Sequence, residues 1–147
     1  MVSAANKRLT VLTDGMFVLR CKEEARDRVR QSGLDLDVLD RATGQWRDVS
    51  TLSGGESFLA SLALALGLSD VVQAQSGAIR MEAMFIDEGF GALDDNALRN
   101  SLQVLANLAD GKRLIGIISH VHDLEERIEK QIVVSKTLKG SKLELLA

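Results

Sequence analysis

The sequence contains no proline, against a usual share of about 5%. No proline-rich linker divides the chain, and no cis-proline turn is available to it. Cysteine is nearly absent too. Cys21 stands alone, which excludes an internal disulfide and a thiolate metal cage and fits a reducing compartment. An excess of one charge is also missing: a formal net charge of −3 gives no global attraction to nucleic acid or anionic membrane, so either contact would need a local patch. The most apolar run, Phe58–Leu68, is far short of the ~20 residues that cross a bilayer. Met1–Ala5 leads directly into polar Asn6, Lys7 and Arg8, which is no signal-peptide pattern. What remains is ordinary for a globular chain, with 147 residues, 46% hydrophobic and 27% charged, enough for one real core. The expectation is one cytoplasmic domain, cut from something larger or standing alone.

Local patterns order the chain. Ala5, Leu9 and Leu12 recur at helical spacing within Met1–Thr13, and Asp14-Gly15 can close that helix with a left-handed cap. Thr10 and Val11 would also suit a strand over Leu9–Leu12; helix is the preferred reading. Met16–Arg20 reads as a short strand. Cys21–Gln31 (CKEEARDRVRQ) mixes acid and base so closely that its charges cancel, and it reads as a solvated helix or loop. Leu34, Leu36 and Val38 alternate with Asp35, Asp37 and then Asp40, and Ala42-Thr43-Gly44 turns the chain back through Trp46 and Val49. The first third is therefore expected to form a small antiparallel β layer.

From Ser53 the character changes. Gly54–Gln73 is apolar on nearly all sides, the mark of a buried helix. Ala83–Asp87 (AMFID) and Leu114–Ile118 (LIGII) are oily strands, with a helix over Asp94–Leu108 between them. A short helix over Val121–Ile128, a strand over Gln131–Ser135 and a last one over Lys142–Leu146 follow. Strands buried on both faces and alternating with helices predict an α/β fold with a mainly parallel sheet flanked by helices.

Three stretches carry chemistry. In Thr51–Leu68 (TLSGGESFLASLALALGL), Ser53 and Glu56 fit a capping box. Gly54 and Gly55 have no place in that explanation, since each costs up to about 1 kcal/mol against alanine in a helix. Glycine lets a ligand approach the backbone, and the unpaired amides of a helix N-terminus suit phosphate. Glu56 opposes an anion unless its charge turns back into the cap, so plain cap and anion site both stay open. In Met84–Asp95 (MFIDEGFGALDD), Asp87 and Glu88 close an oily strand, where open α/β sheets bind ligands. Asp87 could hold Mg²⁺ through its waters, and Glu88 could orient or deprotonate a water attacking a phosphoryl group. Asp94 reads first as the cap of the next helix. In Ile117–Asp123 (IISHVHD), Ser119 and His120 again end a buried strand, and His120 could donate to a developing phosphate charge. A dinuclear H-x-H-x-D-H metal site is ruled out by Leu124 and Glu125, and His122 is expected on the solvent side of the short helix.

The order of these stretches decides more than any one of them. LSGGE, an oily strand ending in DE, then ALD, then an oily strand ending in SH resembles the C-terminal half of an ABC-type ATPase head. Transporter heads usually place glutamine at the position of Glu56 and a DEP-type sequence after the strand. LSGGESFLASLALALGLSDVV, FIDEGFGALD and GIISHV instead closely resemble the SbcC family, the large ATPase subunits of bacterial SbcCD DNA-repair nucleases, relatives of the SMC proteins. The likeness is strong from Thr51 to about Ser135. It implies the C-terminal lobe of an ABC-type P-loop ATPase head over residues 15–147, with residues 1–14 as the end of a coiled-coil helix entering it.

The resemblance also implies roles. Ser53, Gly54 and Gly55, with Glu56 beside them, would meet the γ-phosphate of ATP held mainly by the second head of a dimer. Asp87 would serve Mg²⁺, Glu88 would polarise the attacking water, Asp94 would lie in the loop crossing the dimer interface, and His120 would sense the γ-phosphate. The implied partners are the N-terminal lobe of the same protein, a second copy of the head, an SbcD-type nuclease subunit and double-stranded DNA, with no membrane. A G-x-x-x-x-G-K-[ST] phosphate loop is nowhere in the chain, and Gly111-Lys112 lacks its frame. The lobe alone is therefore expected to be silent. Two competing readings are a fragment of a transporter's nucleotide-binding domain and a non-catalytic dimerisation or DNA-binding module. For the latter, Lys136, Lys139 and Lys142 form the candidate basic patch.

Overall fold

Helical spacing folds Val2–Leu12 into α1, whose Ala5, Leu9 and Leu12 are all buried. The computed structural model describes residues 1–22, 35–76, 81–110, 113–138 and 140–146. Glu23–Gln31 of the charge-dense stretch, Leu34, Gly111-Lys112 and Lys139 lie outside the described residues. Asp14 and Gly15 close the helix in left-handed geometry, with φ of 50° and 77°, and Gly15 N–H donates to the Thr10 carbonyl at 2.7 Å.

β1 (Phe17–Cys21), β2 (Leu36–Asp40) and β3 (Gln45–Asp48) form the expected antiparallel layer in that order. The hairpin between β2 and β3 closes because the Asp40 carboxylate accepts from Ala42 N–H at 2.9 Å and Gly44 takes a φ of 69°. Val49 falls in a 3₁₀ turn, Val49–Thr51, rather than in the returning strand. Asn6 fastens α1 to this layer: its amide donates to the Leu19 carbonyl and its oxygen accepts from Leu19 N–H, both at 2.8 Å.

α2 (Gly54–Ser76) crosses α1 closely at Gly67, where a Cβ would stand 2.5 Å from the Ala5 nitrogen. Arg8 and Asp70 clamp the same crossing with two-pronged contacts of 3.0–3.2 Å. Leu59, Leu62, Ala63 and Leu66 of α2 enter one core with Leu9, Leu12, Leu19, Val38, Ile86, Phe90 and Leu98. By length and composition, Gly54–Gln75 could cross a membrane, a longer stretch than Phe58–Leu68 suggested. Its packing into this core identifies a core helix. Burial all round is not met, however, for Leu68 is 48% exposed.

β4 (Ala83–Asp87) and β5 (Leu114–Ile118) pair in parallel, with Asp87 opposite Ile118. α3 (Asp95–Asp110) lies between them in sequence, and its Leu98, Val104, Leu105 and Leu108 join the core. α4 is only His122–Glu125, and β6 (Gln131–Thr137) with β7 (Gly140–Leu146) makes a separate antiparallel hairpin. The architecture is α/β, with the parallel part confined to two strands among the described residues. Burial of these strands on both faces is the expectation that fails. Phe85, Leu114 and Ile118 are 68%, 63% and 55% exposed, because no described element of this chain lies over that face. The apolar face of the hairpin, Ile132, Val134, Leu143 and Leu145, is likewise open.

Candidate functional site

Parallel pairing sets the residues after β4 and β5 side by side, since Asp87 and Ile118 are in register. Glu88 N–H donates to the Ile118 carbonyl at 2.9 Å, extending the ladder by one bond beyond the strand. The chain then bends sharply, with Glu88 at φ 58° and Gly89 at φ 96°. A left-handed non-glycine residue costs about 1–2 kcal/mol, so the surroundings must hold Glu88 there. One holder is visible: His120 Nδ1 lies 3.0 Å from Glu88 Oε1. Both side chains are exposed at the carboxyl end of the parallel pair, His120 strongly so, and Asp87 is exposed beside them. Three of the residues singled out in the sequence thus share one edge of the fold.

The glycine-bearing turn opens α2. Ser53 N–H donates to Glu56 Oε2 at 2.8 Å and Glu56 N–H to Ser53 Oγ at 3.3 Å, a complete capping box. Glu56 is also 3.7 Å from the Arg47 guanidinium. Its charge is therefore turned back onto the cap and partly balanced, which removes much of its objection to a nearby anion. The first intrahelical bond is Ser57 N–H to the Ser53 carbonyl at 2.8 Å, so the Gly54 and Gly55 amides precede the ladder.

The two glycines differ. A Cβ on Gly55 would stand 2.5 Å from the Ala92 carbonyl oxygen and 3.3 Å from its carbon, so packing alone demands glycine. On Gly54 a Cβ would meet only the Ala92 Cβ at 3.9 Å, an ordinary contact. Internal packing explains Gly55 and leaves Gly54 without a packing reason.

Asp94 caps α3: its Oδ1 accepts from Ala97 N–H at 2.8 Å. Ser119 Oγ accepts from Val121 N–H at 3.2 Å. His122 faces solvent and meets Glu125 at 3.1 Å. Among the described residues no group of three His, Cys, Asp or Glu could hold a metal ion. Sequence reasoning missed two residues here. Arg47 carried no signal, since an arginine in a short strand reads as an outward charge. Phe58, whose ring lies against Gly89 and Phe90, was hidden in the oily run.

A model described as SbcC/RAD50-like, Walker B motif, matches residues 23–107, more than half of the chain. The chain belongs to the SbcC/RAD50-like family. Among its relatives, the SbcC subunit of the SbcCD nuclease of Vibrio cholerae is 54% identical over 97% of this chain. That of Treponema pallidum is 46% identical over 93%. The chain spans only 14% and 13% of these two relatives' own lengths. In fold it matches the Smc head domain of Pyrococcus furiosus bound to the C-terminal domain of ScpA, with a TM-score of 0.71 at 19% identity, over 99% of this chain and 34% of that one. An SbcC/RAD50-like chain with an SMC-head fold bears out the family and the fold class expected from LSGGE, FIDEGFGALD and GIISHV.

Proposed function

We propose that this chain supplies half of a composite ATP-hydrolysing site in the head of a DNA double-strand-break repair nuclease. In this reading residues 15–147 are the C-terminal lobe and residues 1–14 the end of a coiled-coil helix entering it. ATP draws two heads together in the cytoplasm, and their closure on double-stranded DNA controls an SbcD-type nuclease subunit. The observation that carries the reading is the Glu88–His120 pair at 3.0 Å, set beside Asp87 at the carboxyl end of a parallel strand pair. The open apolar faces around Phe85 and around Ile132 support a missing N-terminal lobe, which would also bring the phosphate loop.

Magnesium keeps most of its waters and takes one or two carboxylates with phosphate oxygens. A single exposed Asp87 without a protein-built cage fits that habit, and Ser53, Gly54 and Gly55 offer one hydroxyl and two amides to a phosphate. Bound there, ATP with Mg²⁺ would supply the phosphoryl group and neutralise its developing charge. The chain's own work is orientation and proton handling. The Glu88 carboxylate would accept a hydrogen bond from the attacking water and draw off its proton. His120 would face the γ-phosphate through Nε2. While Nδ1–H donates to Glu88, Nε2 of a neutral ring is an acceptor and repels phosphate, so His120 must take a second proton or let Glu88 go. Ser53 Oγ already accepts from Glu56 N–H, leaving its proton to donate outward. Asp94, beyond its cap, would lie in the loop that crosses between heads.

The test mixes this chain with an N-terminal lobe bearing the phosphate loop and follows ATP hydrolysis. Turnover is expected for wild type and lost in Ser53→Arg and Glu88→Gln, with Glu88→Gln still binding ATP and trapping a dimer. Hydrolysis by this chain alone, or normal turnover in Glu88→Gln, would refute the reading.

A further inference from the structure

The bend after β4 places Glu88 and Gly89 in successive left-handed conformations, and Gly89 opens a 3₁₀ turn over Phe90–Ala92. A Cβ built on Gly89 would overlap the Phe58 ring, with three ring carbons inside van der Waals distance. The ring therefore occupies the space a side chain would need, and the bend is pressed against it. Phe58 is itself held in place: it meets Phe90 edge to face, with ring centroids 4.9 Å apart and planes at 65°. Phe90 is only 1% exposed and anchored in the core. One helical turn separates Phe58 from Gly54, so the two share a face of α2. Gly55 abuts the Ala92 carbonyl just beyond the same bend. The start of α2 and the segment from Glu88 to Ala92 are thus in contact at two points.

We propose that Phe58 is a positioning residue, whose ring packed against Gly89 and Phe90 fixes the backbone that aims the Glu88 carboxylate. The proposal rests on the reading of Glu88 given above and adds a residue that touches no nucleotide. Removing the ring lets the bend relax toward ordinary backbone, and Glu88 swings away from the line of attack. Nucleotide binding, which uses other atoms, does not change.

The experiment measures steady-state ATP hydrolysis by the full-length protein carrying Phe58→Leu, Phe58→Tyr or Glu88→Gln, together with the thermal unfolding midpoint of each. For Phe58→Leu, kcat is expected to fall at least about tenfold, as small displacements of a reacting group do, with KM for ATP within a factor of two. Phe58→Tyr, which keeps the ring, is expected to restore kcat. Unchanged kcat in Phe58→Leu, a loss matching only the unfolded fraction, or a Tyr variant as poor as Leu overturns the proposal. Should Phe58→Leu fail to fold, Phe58→Met takes its place under the same criteria. Glu88→Gln separates the two failures: if it turns over normally, the role of Glu88 itself is wrong, whereas its inactivity beside an unaffected Phe58→Leu refutes Phe58 alone.

Discussion

Gly54 and Gly55 are neighbours in one helical turn, yet alanine should act on them in opposite directions. At Gly54 the added methyl meets only Ala92 Cβ at 3.9 Å, so the helix keeps alanine's advantage of up to about 1 kcal/mol. At Gly55 the methyl would stand 2.5 Å from a carbonyl oxygen of the main chain, which cannot rotate aside as a side chain could. Overpacking costs about 1–3 kcal/mol, and a clash with the main chain takes the upper part of that range, about 2–3 kcal/mol, leaving a net loss of about 1–2 kcal/mol after a helical gain of about 1 kcal/mol. At about 2–4 °C per kcal/mol for a chain of this size, Gly55→Ala should lower the unfolding midpoint by roughly 2–8 °C, while Gly54→Ala leaves it level or higher. Urea unfolding should give the same order, read from the midpoint at constant slope. The functional result should be reversed in cause. Gly54→Ala is expected to abolish ATP hydrolysis in the assembled head despite its sound stability, because in the proposed site its methyl would stand where the phosphate approaches. Equal stability changes at both positions would refute the packing argument; full turnover in Gly54→Ala would refute the idea that a ligand needs that backbone.

Leu66→Ala, at a position 1% exposed, should cost about 2–5 kcal/mol in urea unfolding as a buried cavity forms. Asn6→Ala removes both partners of Leu19 and should cost about 1–3 kcal/mol, with faster amide hydrogen exchange in β1 as its local signature. Glu56→Ala breaks the capping box and its Arg47 contact, for a loss of about 0.5–2 kcal/mol. The hydrogen bond from the Lys22 ammonium to Asp48, helped by Ser50, holds the Asp48 carboxyl well below the usual carboxylate range. The same bond raises the Lys22 pKa. A depressed carboxyl contributes stability above its unfolded pKa and loses it as pH falls through the folded one, so this pair should survive mild acid. Lys22→Gln should move the Asp48 titration, followed by carboxyl NMR shifts, up toward the ordinary range.

Elements with a strong local signal were legible. The α1 spacing of Ala5, Leu9 and Leu12, the Asp14-Gly15 stop, the β2–β3 turn and the two oily strands all formed within a residue or two of expectation. Asp94 and the Ser53–Glu56 pair were legible as caps for the same reason, since a cap depends on residues three positions apart. Two readings went wrong because they were not local. Strand composition suggested burial on both faces of β4 and β5, but composition records what a strand is built to meet, not what this chain provides. The all-round apolar character of α2 likewise overstated its burial at Leu68.

The order LSGGE, DE, ALD and SH by itself determined the family, the α/β class and which polar residues stand at strand and helix ends. The family came from the resemblance of those motifs, whereas the class and the strand and helix ends follow from short-range spacing and backbone preference, which a linear sequence states directly. Only the tertiary structure decided that Glu88 and His120 touch and that Gly55 is demanded by a carbonyl while Gly54 is not. It alone decided that Phe58 presses on the bend at Gly89. These depend on segments more than thirty residues apart meeting at van der Waals distance, and such distances are set by the packing of the whole core.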